Sequence, residues 1–340
     1  MKPDTVSSKG LRHKRVIGNE QGLALLITVS VLTLLVAVTV QFHRTTWQTF
    51  RLAWQNMVFR QLQTAAESGQ ELAISVLEDD RKNNVDSLLE TWAKLSRDNF
   101  DFLAVRGTLE IDVQDLGGRF PINALGLADG ARARKFREIF FKLLVSGRFY
   151  VESKDDAREI IDSLVDWLDA DSKESDKGAE NSYYRGLTVP YSCKNGPVNY
   201  PEELLFVKGI TARLFFGDEE KEGLQDYITV YKDEKTININ TAPVQLLESL
   251  METASEKLAR GMDEYRRDPA NEKSLNSRTW YKKVAGWPGE LTLDESIIDV
   301  KSSCFRIISK ALYDKTTRVI VTDIKRRKDK DALLLFRRVE

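Results

Sequence analysis

The sequence contains one dense cluster of carboxylates, in the segment DWLDADSKESDKGAE at residues 166–180. Its acidic residues are Asp166, Asp169, Asp171, Glu174, Asp176 and Glu180. Carboxylates crowded into a short loop repel one another. A divalent cation that prefers oxygen ligands, above all Ca²⁺, would bind several of them at once and hold the loop together. If Asp169 is the first position of a loop, Asp171 and Glu180 fall at positions three and twelve, where an EF-hand supplies carboxylates.

The segment departs from an EF-hand at the centre of the loop. Lys173 stands at position five and Glu174 at position six, so one ligand and the glycine of the turn are missing. The spacing alone therefore leaves two alternatives: an acidic loop that is simply solvated, or a structural calcium site. The candidate ligands of such a site are Asp166, Asp169, Asp171 and Glu180.

Other side chains that support catalysis are scarce. The two histidines, His13 and His43, flank an apolar segment near the amino terminus, so the body of the protein has no histidine to act as a general base. A serine or cysteine hydrolase with a histidine base is therefore excluded. Cys193 and Cys304 have no CxxC partner, which excludes a thiolate zinc site and leaves at most one disulfide, between these two residues.

The composition is that of a globular protein, with 340 residues, 42% hydrophobic and 30% charged. This length predicts two folded units or one large one. The 51 Lys and Arg residues nearly balance the 52 Asp and Glu residues, which argues against a dedicated nucleic-acid binder. The basic stretch KRRKDKD at 325–331 is interpreted as a charged turn between two strands rather than as a phosphate or lipid patch.

Residues 23–42 form an uncharged apolar run, LALLITVSVLTLLVAVTVQF. A helix of about 20 residues spans the roughly 30 Å of a bilayer core. The run is longer than a usual secretory signal core and no small-x-small cleavage site follows it, so we expect it to remain as a single transmembrane segment. Residues 1–22 carry five Lys and Arg residues against Asp4 and Glu20, which predicts a cytoplasmic amino terminus and a periplasmic body.

Beyond this run, apolar residues recur at three- and four-residue steps. They are Trp47, Phe50, Trp54, Val58, Leu62, Ala65, Gly69, Leu72 and Val76. Because no proline occurs between Asp4 and Phe120, we expect one helix of about 55 residues, apolar in its first half and amphipathic in its second. The alternative is an ordinary membrane anchor followed by a separate helix.

The rest of the chain predicts strands on either side of a helical region. Residues 107–125 predict two strands around a Gly-Gly turn, and residues 226–243 predict two more around the turn KDEK. Helical spacing dominates residues 129–168. Three strand-like segments close the chain: SCFRIISKALYD, TTRVIVTDIKRR and ALLLFRRVE. This order predicts an α+β fold with a helical insertion.

Gly22 lies between a short basic leader and the apolar helix. A basic leader, a glycine and an apolar helix that continues as an amphipathic one resemble the precursor of a type IV pilin or a type II secretion pseudopilin. The resemblance implies that a prepilin peptidase cuts between Gly22 and Leu23 and that the new amine is methylated.

The fifth residue after that cut is Ile27, where most pilins have glutamate. In pilins this buried carboxylate is thought to face the terminal amine of the neighbouring subunit. A subunit that lacks it fits best at the tip of the fibre. The alternative is that Ile27 simply faces lipid in an unrelated anchor.

Four motifs, in this order, resemble the K component of the type II (general) secretion pathway, a large minor pseudopilin. They are QDLGGRF with Asn123, DSLVDWLDAD with GAENSYY, PEELLFVKGI, and ININTAP before the closing strands. The resemblance implies a pilin-like long helix packed on an antiparallel sheet, with a large inserted helical domain and a second small helical unit of the helix-hairpin-helix or SAM-like kind.

The domain organisation that this resemblance implies has six parts. They are a leader at 1–22, a transmembrane half-helix at 23–42, the amphipathic half with the first strands at 43–125, the inserted helical domain at 126–224, a strand pair with the second helical unit at 225–295, and the closing strands at 296–340.

The family resemblance also implies a function without enzymatic activity. The protein would nucleate and cap the pseudopilus during export of folded proteins across the outer membrane. Its partners would be the minor pseudopilins I and J, the major pseudopilin, prepilin peptidase and inner-membrane lipid, with no nucleic acid. The family binds calcium, which favours calcium over a solvated loop at Asp166, Asp169, Asp171 and Glu180.

The alternative function is a membrane-anchored DNA-binding protein of a competence or type IV pilus system. ININTAP followed by LLESL resembles the start of a helix-hairpin-helix module. The segment METASEKLARGMDEYRRD that follows has no Gly-x-Gly hairpin to grip a phosphate.

We predict that the mature protein begins at a methylated Leu23. Amino-terminal sequencing and mass spectrometry of the protein extracted from membranes measure this directly. An intact leader in cells with an active prepilin peptidase would contradict the pseudopilin assignment.

Overall fold

The computed structural model describes residues 19–95, 99–102, 107–127, 130–231, 235–253, 255–328 and 330–340. The chain divides into two compact units, of which the first ends at Arg60 and the second runs from Gln61 to Glu340. The leader predicted at 1–22 lies outside the described residues except at its end.

The helices and strands alternate in the predicted α+β order. The helices are α1 (Asn19–Asp79), α2 (Thr91–Lys94), α3 (Gly130–Leu144), α4 (Lys154–Leu168), α5 (Asn181–Arg185), α6 (Ala212–Phe216), α7 (Val244–Ser249) and α8 (Glu256–Arg267). The strands are β1 (Asn99–Phe102), β2 (Gly107–Asp115), β3 (Phe120–Pro121), β4 (Ile228–Thr229), β5 (Ile237–Asn238), β6 (Ile298–Asp299), β7 (Cys304–Tyr313), β8 (Thr316–Lys325) and β9 (Leu333–Val339).

The described part of the first unit is the beginning of α1, and its apolar side chains are exposed except that of Val58. From Leu23 to Val40 the large apolar side chains are 44–67% exposed. In the described part of the chain, α1 is the helix long and apolar enough to cross a membrane. Its hydroxyl groups donate to carbonyls one turn earlier, as from Ser30 Oγ to Leu26 O at 2.8 Å, so they would not be left without a partner in hydrocarbon.

In the second unit, small side chains on α1 allow the helix to approach the sheet closely. The buried face of this part is Leu62, Ala66, Gly69, Gln70, Ala73 and Leu77. A Cβ atom at Gly69 would overlap Ser309 Oγ and lie 3.1 Å from Leu109 Cδ1. Glycine is therefore required where the helix crosses β2 and β7.

The predicted apolar stripe is correct in its middle and wrong at both ends. Trp47 and Trp54 are 57% and 47% exposed, and Leu72 is 41% exposed. The buried positions beyond Gly69 are those of Gln70, Ala73 and Leu77, and the predicted Leu72 is exposed instead.

The main sheet has five antiparallel strands in the order β1-β2-β7-β8-β9. Its three closing strands lie where the sequence predicts them. Burial alternates along β2, where Leu109, Ile111 and Val113 are buried and the residues between them are half-buried. The predicted order of helix, strands, helical middle and strands is confirmed.

Two predicted strand pairs have different partners in the structure. β3 pairs in parallel with β4, and β5 pairs in parallel with β6, so neither the Gly-Gly nor the KDEK segment joins two paired strands. A Cβ atom at Gly118 would overlap Thr241, and Asn238 N donates to Gly117 O at 2.8 Å. The Gly-Gly pair thus permits a close crossing of two distant segments rather than a hairpin turn.

The helical insertion lies between β3 and β4, and its helices share one core with α7 and α8. Buried members of this core include Phe120, Phe136, Leu164, Leu246 and Met262.

Asn123 links three segments of this region through its side chain. Its Nδ2 donates to Val198 O at 3.0 Å and to Val230 O at 2.6 Å, and its Oδ1 accepts from Val198 N at 2.8 Å. The asparagine after QDLGGRF therefore fastens the start of the insertion to two later loops.

A buried hydrogen-bond network centred on Asp115 joins the QDLGG and ININTAP motifs. Asp115 Oδ2 accepts from Asn238 Nδ2 at 2.9 Å, from Ser302 Oγ at 2.7 Å and from Thr241 Oγ1 at 2.5 Å. Asp115 Oδ1 accepts from Gly117 N at 2.7 Å. Four donors to one buried carboxylate compensate for its loss of water.

The same network continues to the end of α1 through Asp86 and Arg326. Ser302 N donates to Asp86 Oδ2 at 2.8 Å, and Arg326 Nη2 donates to Asp86 Oδ1 at 2.5 Å. Arg326 Nη1 also reaches Asp80 Oδ2 at 2.9 Å. Residues from the first strands, the second helical unit and the closing strands are thereby held at one point.

Asn238→Ala should destabilise this junction, because Asn238 Nδ2 donates to Asp86 O, Asp115 Oδ2 and Ser302 Oγ, all buried. We expect a loss of about 3 kcal/mol, or a melting temperature lower by about 5 °C, for the full chain in detergent. Circular dichroism measures the change. The control Asn276→Ala, at an exposed asparagine, should melt within about 1 °C of the wild type; equal melting of both variants would contradict the role of the network.

Candidate metal centre

The ends of two helices hold two of the candidate ligands in place. A capping box at Ser153 and Asp156 starts α4, and the helix ends at Leu168, so that Asp169 is the next residue. Glu180 directly precedes α5, and its Oε2 accepts from Asn181 N at 3.1 Å. A cation beside Asp169 would lie at the carboxyl end of α4, where the helix dipole favours positive charge.

The structure brings Asp169, Asp171 and Glu180 together. One carboxylate oxygen from each lies within 4.8 Å of the others. Glu180 is buried, Asp169 is half-buried and Asp171 is exposed. These are the three residues that the loop spacing predicts at positions one, three and twelve.

Three buried oxygens at this place accept no hydrogen bond. They are Asp169 Oδ1, Glu180 Oε1 and Asn195 Oδ1. Asn195 has a φ of 49°, in the left-handed region, and its Nδ2 donates to the backbone oxygen of Asp171. Buried acceptors without donors are costly, and a cation held between Asp169 and Glu180 would satisfy their two carboxylate oxygens.

Asn195 was not identified from the sequence. Its only local signal is its place in the turn Lys194-Asn195-Gly196, which indicates a change of chain direction and no ligand. The turn is fixed by a hydrogen bond from Gly196 N to Trp167 O at 3.1 Å, which sets it against the end of α4.

Asp166 lies outside the group of three and organises the loop. Its side chain is fully buried, and both of its carboxylate oxygens accept from Ser175 N at 3.1 Å. A Cβ atom at Gly178 would overlap Asp166 Oδ2, so glycine is required where the loop folds over this carboxylate. The geometry thus gives Asp166 a positioning role around the ligands.

Burial and mutual repulsion make the ionised cluster unfavourable by itself. Burial raises the pKa of Asp169, and the neighbouring Asp171 raises it further. Burial likewise raises the pKa of Glu180, with added repulsion from Asp166, Asp169 and Asp171. Within the described ranges, the ion pairs include none of the three clustered carboxylates. A divalent cation would supply the missing positive charge.

The donor set fits calcium. Three carboxylates and an amide oxygen are hard donors, and Ca²⁺–oxygen distances of about 2.3–2.6 Å place ligand oxygens up to about 5 Å apart across the ion. Cys193 is nearby, but its Sγ donates to Asp166 O at 3.5 Å and burial raises the pKa of its thiol to about 11, so it stays protonated. Both cysteines are buried free thiols, so the disulfide that the sequence left open is not formed.

A second carboxylate group, Asp80, Asp86 and Glu90, already has its cation. Its oxygens also lie within 4.8 Å of one another, but Arg326 pairs with Asp80 at 2.9 Å and with Asp86 at 2.5 Å. Glu90 Oε2 accepts from Ser87 N at 2.8 Å and from Trp92 Nε1 at 3.0 Å, and burial raises its pKa to about 7. We assign this group to the fold and not to a metal.

Comparisons with known proteins agree on one family. The family model described as type II secretion system (T2SS), protein K matches residues 118–233, the stretch that contains the candidate metal centre. The type II secretion system protein K of Aeromonas hydrophila is 27% identical over 93% of this chain and 96% of its own length. A putative type II secretion system protein K of Escherichia coli K12 is 28% identical over 66% of this chain and 67% of its own length.

A solved structure shares the fold. One chain of the GspK-GspI-GspJ complex from the enterotoxigenic Escherichia coli type 2 secretion system superposes with a TM-score of 0.62 at 19% identity, covering 84% of this chain and 98% of that one. The two chains share a fold in which a long amino-terminal helix accompanies an antiparallel sheet and a helical insertion. The family-model match and the relatives agree in making this chain similar to type II secretion system protein K.

The helix-hairpin-helix alternative has no support in the second helical unit. No glycine occurs from residue 250 to residue 255, between α7 and α8. Arg266, the basic side chain that points inward from α8, is buried and donates to Asp263 Oδ1 at 2.6 Å and to Ile239 O at 3.0 Å. It thus fastens α8 to the ININTAP segment and is not free to bind a phosphate.

Asp169→Asn should remove calcium binding with little change in the calcium-free fold. At a calcium concentration about a hundredfold above Kd, the wild type should gain about 2.7 kcal/mol of stability over the chelated protein, and the variant should gain almost none. Calorimetric titration and paired melts with calcium or EGTA measure this. Glu174→Gln, at an exposed acid in the same loop, should keep the gain; an equal loss in both variants would indicate diffuse attraction and no site.

Proposed function

We propose that this protein is the tip subunit of a type II secretion pseudopilus, where it nucleates assembly and caps the fibre during export of folded proteins across the outer membrane. The observation that carries the proposal is the exposed apolar surface of α1, joined in one chain to a second unit with a large insertion in its sheet. An exposed apolar helix can pack into a bundle with the helices of other subunits. The helical insertion enlarges the second unit beyond what a repeating fibre subunit needs.

The apolar surface of α1 extends past the segment that would lie in lipid. Phe42, Trp47, Phe50 and Trp54 are 47–72% exposed. Aromatic side chains beyond a bilayer core suit the membrane interface or contact with other helices. We propose that they pack against the helices of neighbouring subunits after the protein leaves the membrane.

The partners follow from the structural neighbour. That chain was solved in a complex of GspK, GspI and GspJ, and we propose that minor pseudopilins I and J are the direct partners here, with the major pseudopilin below. Ile27, 56% exposed on α1, provides no carboxylate for the amine of another subunit, which supports a position at the end of the fibre.

Processing and topology form part of the same proposal. A prepilin peptidase would cut between Gly22 and Leu23, with methylation of the new amine. Before assembly the protein would be held in inner-membrane lipid by the single segment at 23–42, with a cytoplasmic amino terminus and a periplasmic body. The excess of basic residues before Gly22 supports this orientation.

Calcium would act structurally in this protein. Bound by Asp169, Asp171, Glu180 and Asn195, it would hold the 169–180 loop against the end of α4 and the turn at Asn195. The loop would thereby be ordered on the surface of the insertion, and we propose no catalytic step at this site.

Immunogold labelling of pseudopili tests the tip position. In cells that overproduce the major pseudopilin, antibodies raised against the full chain should label one end of each fibre. Deletion of the gene should reduce the number of fibres, because nucleation is lost, and the remaining fibres should be longer, because the cap is lost.

The variant Gly22→Leu provides the control, because an unprocessed chain should remain in the membrane and leave the fibres unlabelled. Label distributed along the fibre would reject a tip subunit. Unchanged fibre number and length after deletion would reject nucleation and capping.

A further inference from the structure

A cleft of about 660 Å³ follows the carboxyl end of α1 and is strongly basic. Three segments that are far apart in sequence line it. Its cations are Arg81, Lys82, Lys301, Arg326, Arg327 and Lys328. Ser302 and Ser303 lie between them. We refer to this site as the basic cleft.

Five of these cations have no carboxylate partner among the described residues. Among the acids beside the cleft, Asp80 and Asp86 both pair with Arg326. Lys301 Nζ donates to the backbone oxygen of Asn83, and Arg327 Nε donates to that of Asp331 at 2.8 Å. Arg81, Lys82 and Lys328 also form no ion pair with a described residue, so five cations line the cleft without a salt bridge.

The floor of the basic cleft is fixed by the Asp115 network. Ser302 Oγ donates to Asp115 Oδ2 at 2.7 Å, and Arg326 Nη2 donates to Ser302 O at 3.2 Å. Because both residues are buried in this network, the backbone that carries the cations is held in one arrangement. A preorganised set of charges loses less freedom on binding than flexible surface lysines do.

The attraction to an anion would be local. The whole chain has a net charge of −1, so a polyanion gains nothing from the protein as a whole. Like charges held close together repel one another, and an acidic ligand would relieve that repulsion.

The lining of the cleft favours an acidic polypeptide over single-stranded nucleic acid. In the second unit α1 runs from Gln61 to Asp79, and the cleft follows the carboxyl end of this helix. No aromatic side chain is among the described residues that line it, which removes the stacking platform used for single-stranded nucleic acid.

We propose that the basic cleft binds an acidic segment of a partner protein, which places Asp and Glu carboxylates against Arg81, Lys82, Lys301, Arg327 and Lys328. This site is separate from the metal centre and does not depend on the position of the protein in a fibre.

Fluorescence anisotropy of a labelled oligoglutamate peptide tests the proposal, with the full chain in phosphatidylcholine nanodiscs. The wild type should bind the peptide with an affinity that falls as salt rises. The double variant Lys82→Gln/Lys328→Gln should bind about tenfold more weakly, because two exposed charges are lost from the cleft. The matched control Lys282→Gln/Lys283→Gln, at exposed lysines elsewhere, should stay within about twofold of the wild type.

Three results would overturn the proposal. One is no binding of the peptide at low salt, and another is an equal loss in the cleft and control variants. The third is tighter binding of an oligothymidylate of equal charge, or of phosphatidylglycerol vesicles, than of the peptide.

Discussion

One buried carboxylate, that of Asp115, holds the second unit together. It lies at the end of β2 and accepts hydrogen bonds from Gly117 N, Asn238 Nδ2, Thr241 Oγ1 and Ser302 Oγ. A buried charge is tolerated only when its hydrogen-bonding capacity is filled. The folded state of this unit therefore requires all four donors to be in place around Asp115. The helical insertion is thus placed between two segments, QDLGG and ININTAP, that the network keeps in contact.

A second constraint is the distance between α1 and the sheet. Gly69 must be glycine where the helix passes Ser309 and Leu109, and Ala66 and Ala73 continue the narrow face. The sheet face that receives this helix has buried residues such as Ile111, and Leu62 and Leu77 are buried on the helix face beside the small residues. The apolar side chains of α1 from Leu23 to Trp54 belong to the first unit and are exposed there, available to lipid or to other helices.

The two carboxylate groups show how the fold treats negative charge in opposite ways. At the end of α1, Arg326 forms ion pairs with both Asp80 and Asp86, and the remaining cations of that region line the basic cleft. At the end of α4, no basic side chain forms an ion pair with Asp169, Asp171 or Glu180 in the described part of the chain. An internal cation makes the first group part of the scaffold, whereas the second group is left with a deficit of positive charge that calcium fits.

The sequence by itself determined the elements whose signal is local: the apolar segment at 23–42, the long helix, the three closing strands and the spacing of Asp169, Asp171 and Glu180. These follow from periodicity and residue type, which neighbours in the chain set directly. Tertiary structure decided the parallel pairing of β3 with β4, the choice of Ala73 over Leu72 on the buried face, the arrival of Asn195 beside the carboxylates and the pairing of Arg326 with Asp86. Each of these depends on residues brought together from distant parts of the chain. Local periodicity and residue type do not indicate which distant residues will be in contact, so these features could not be predicted from the sequence.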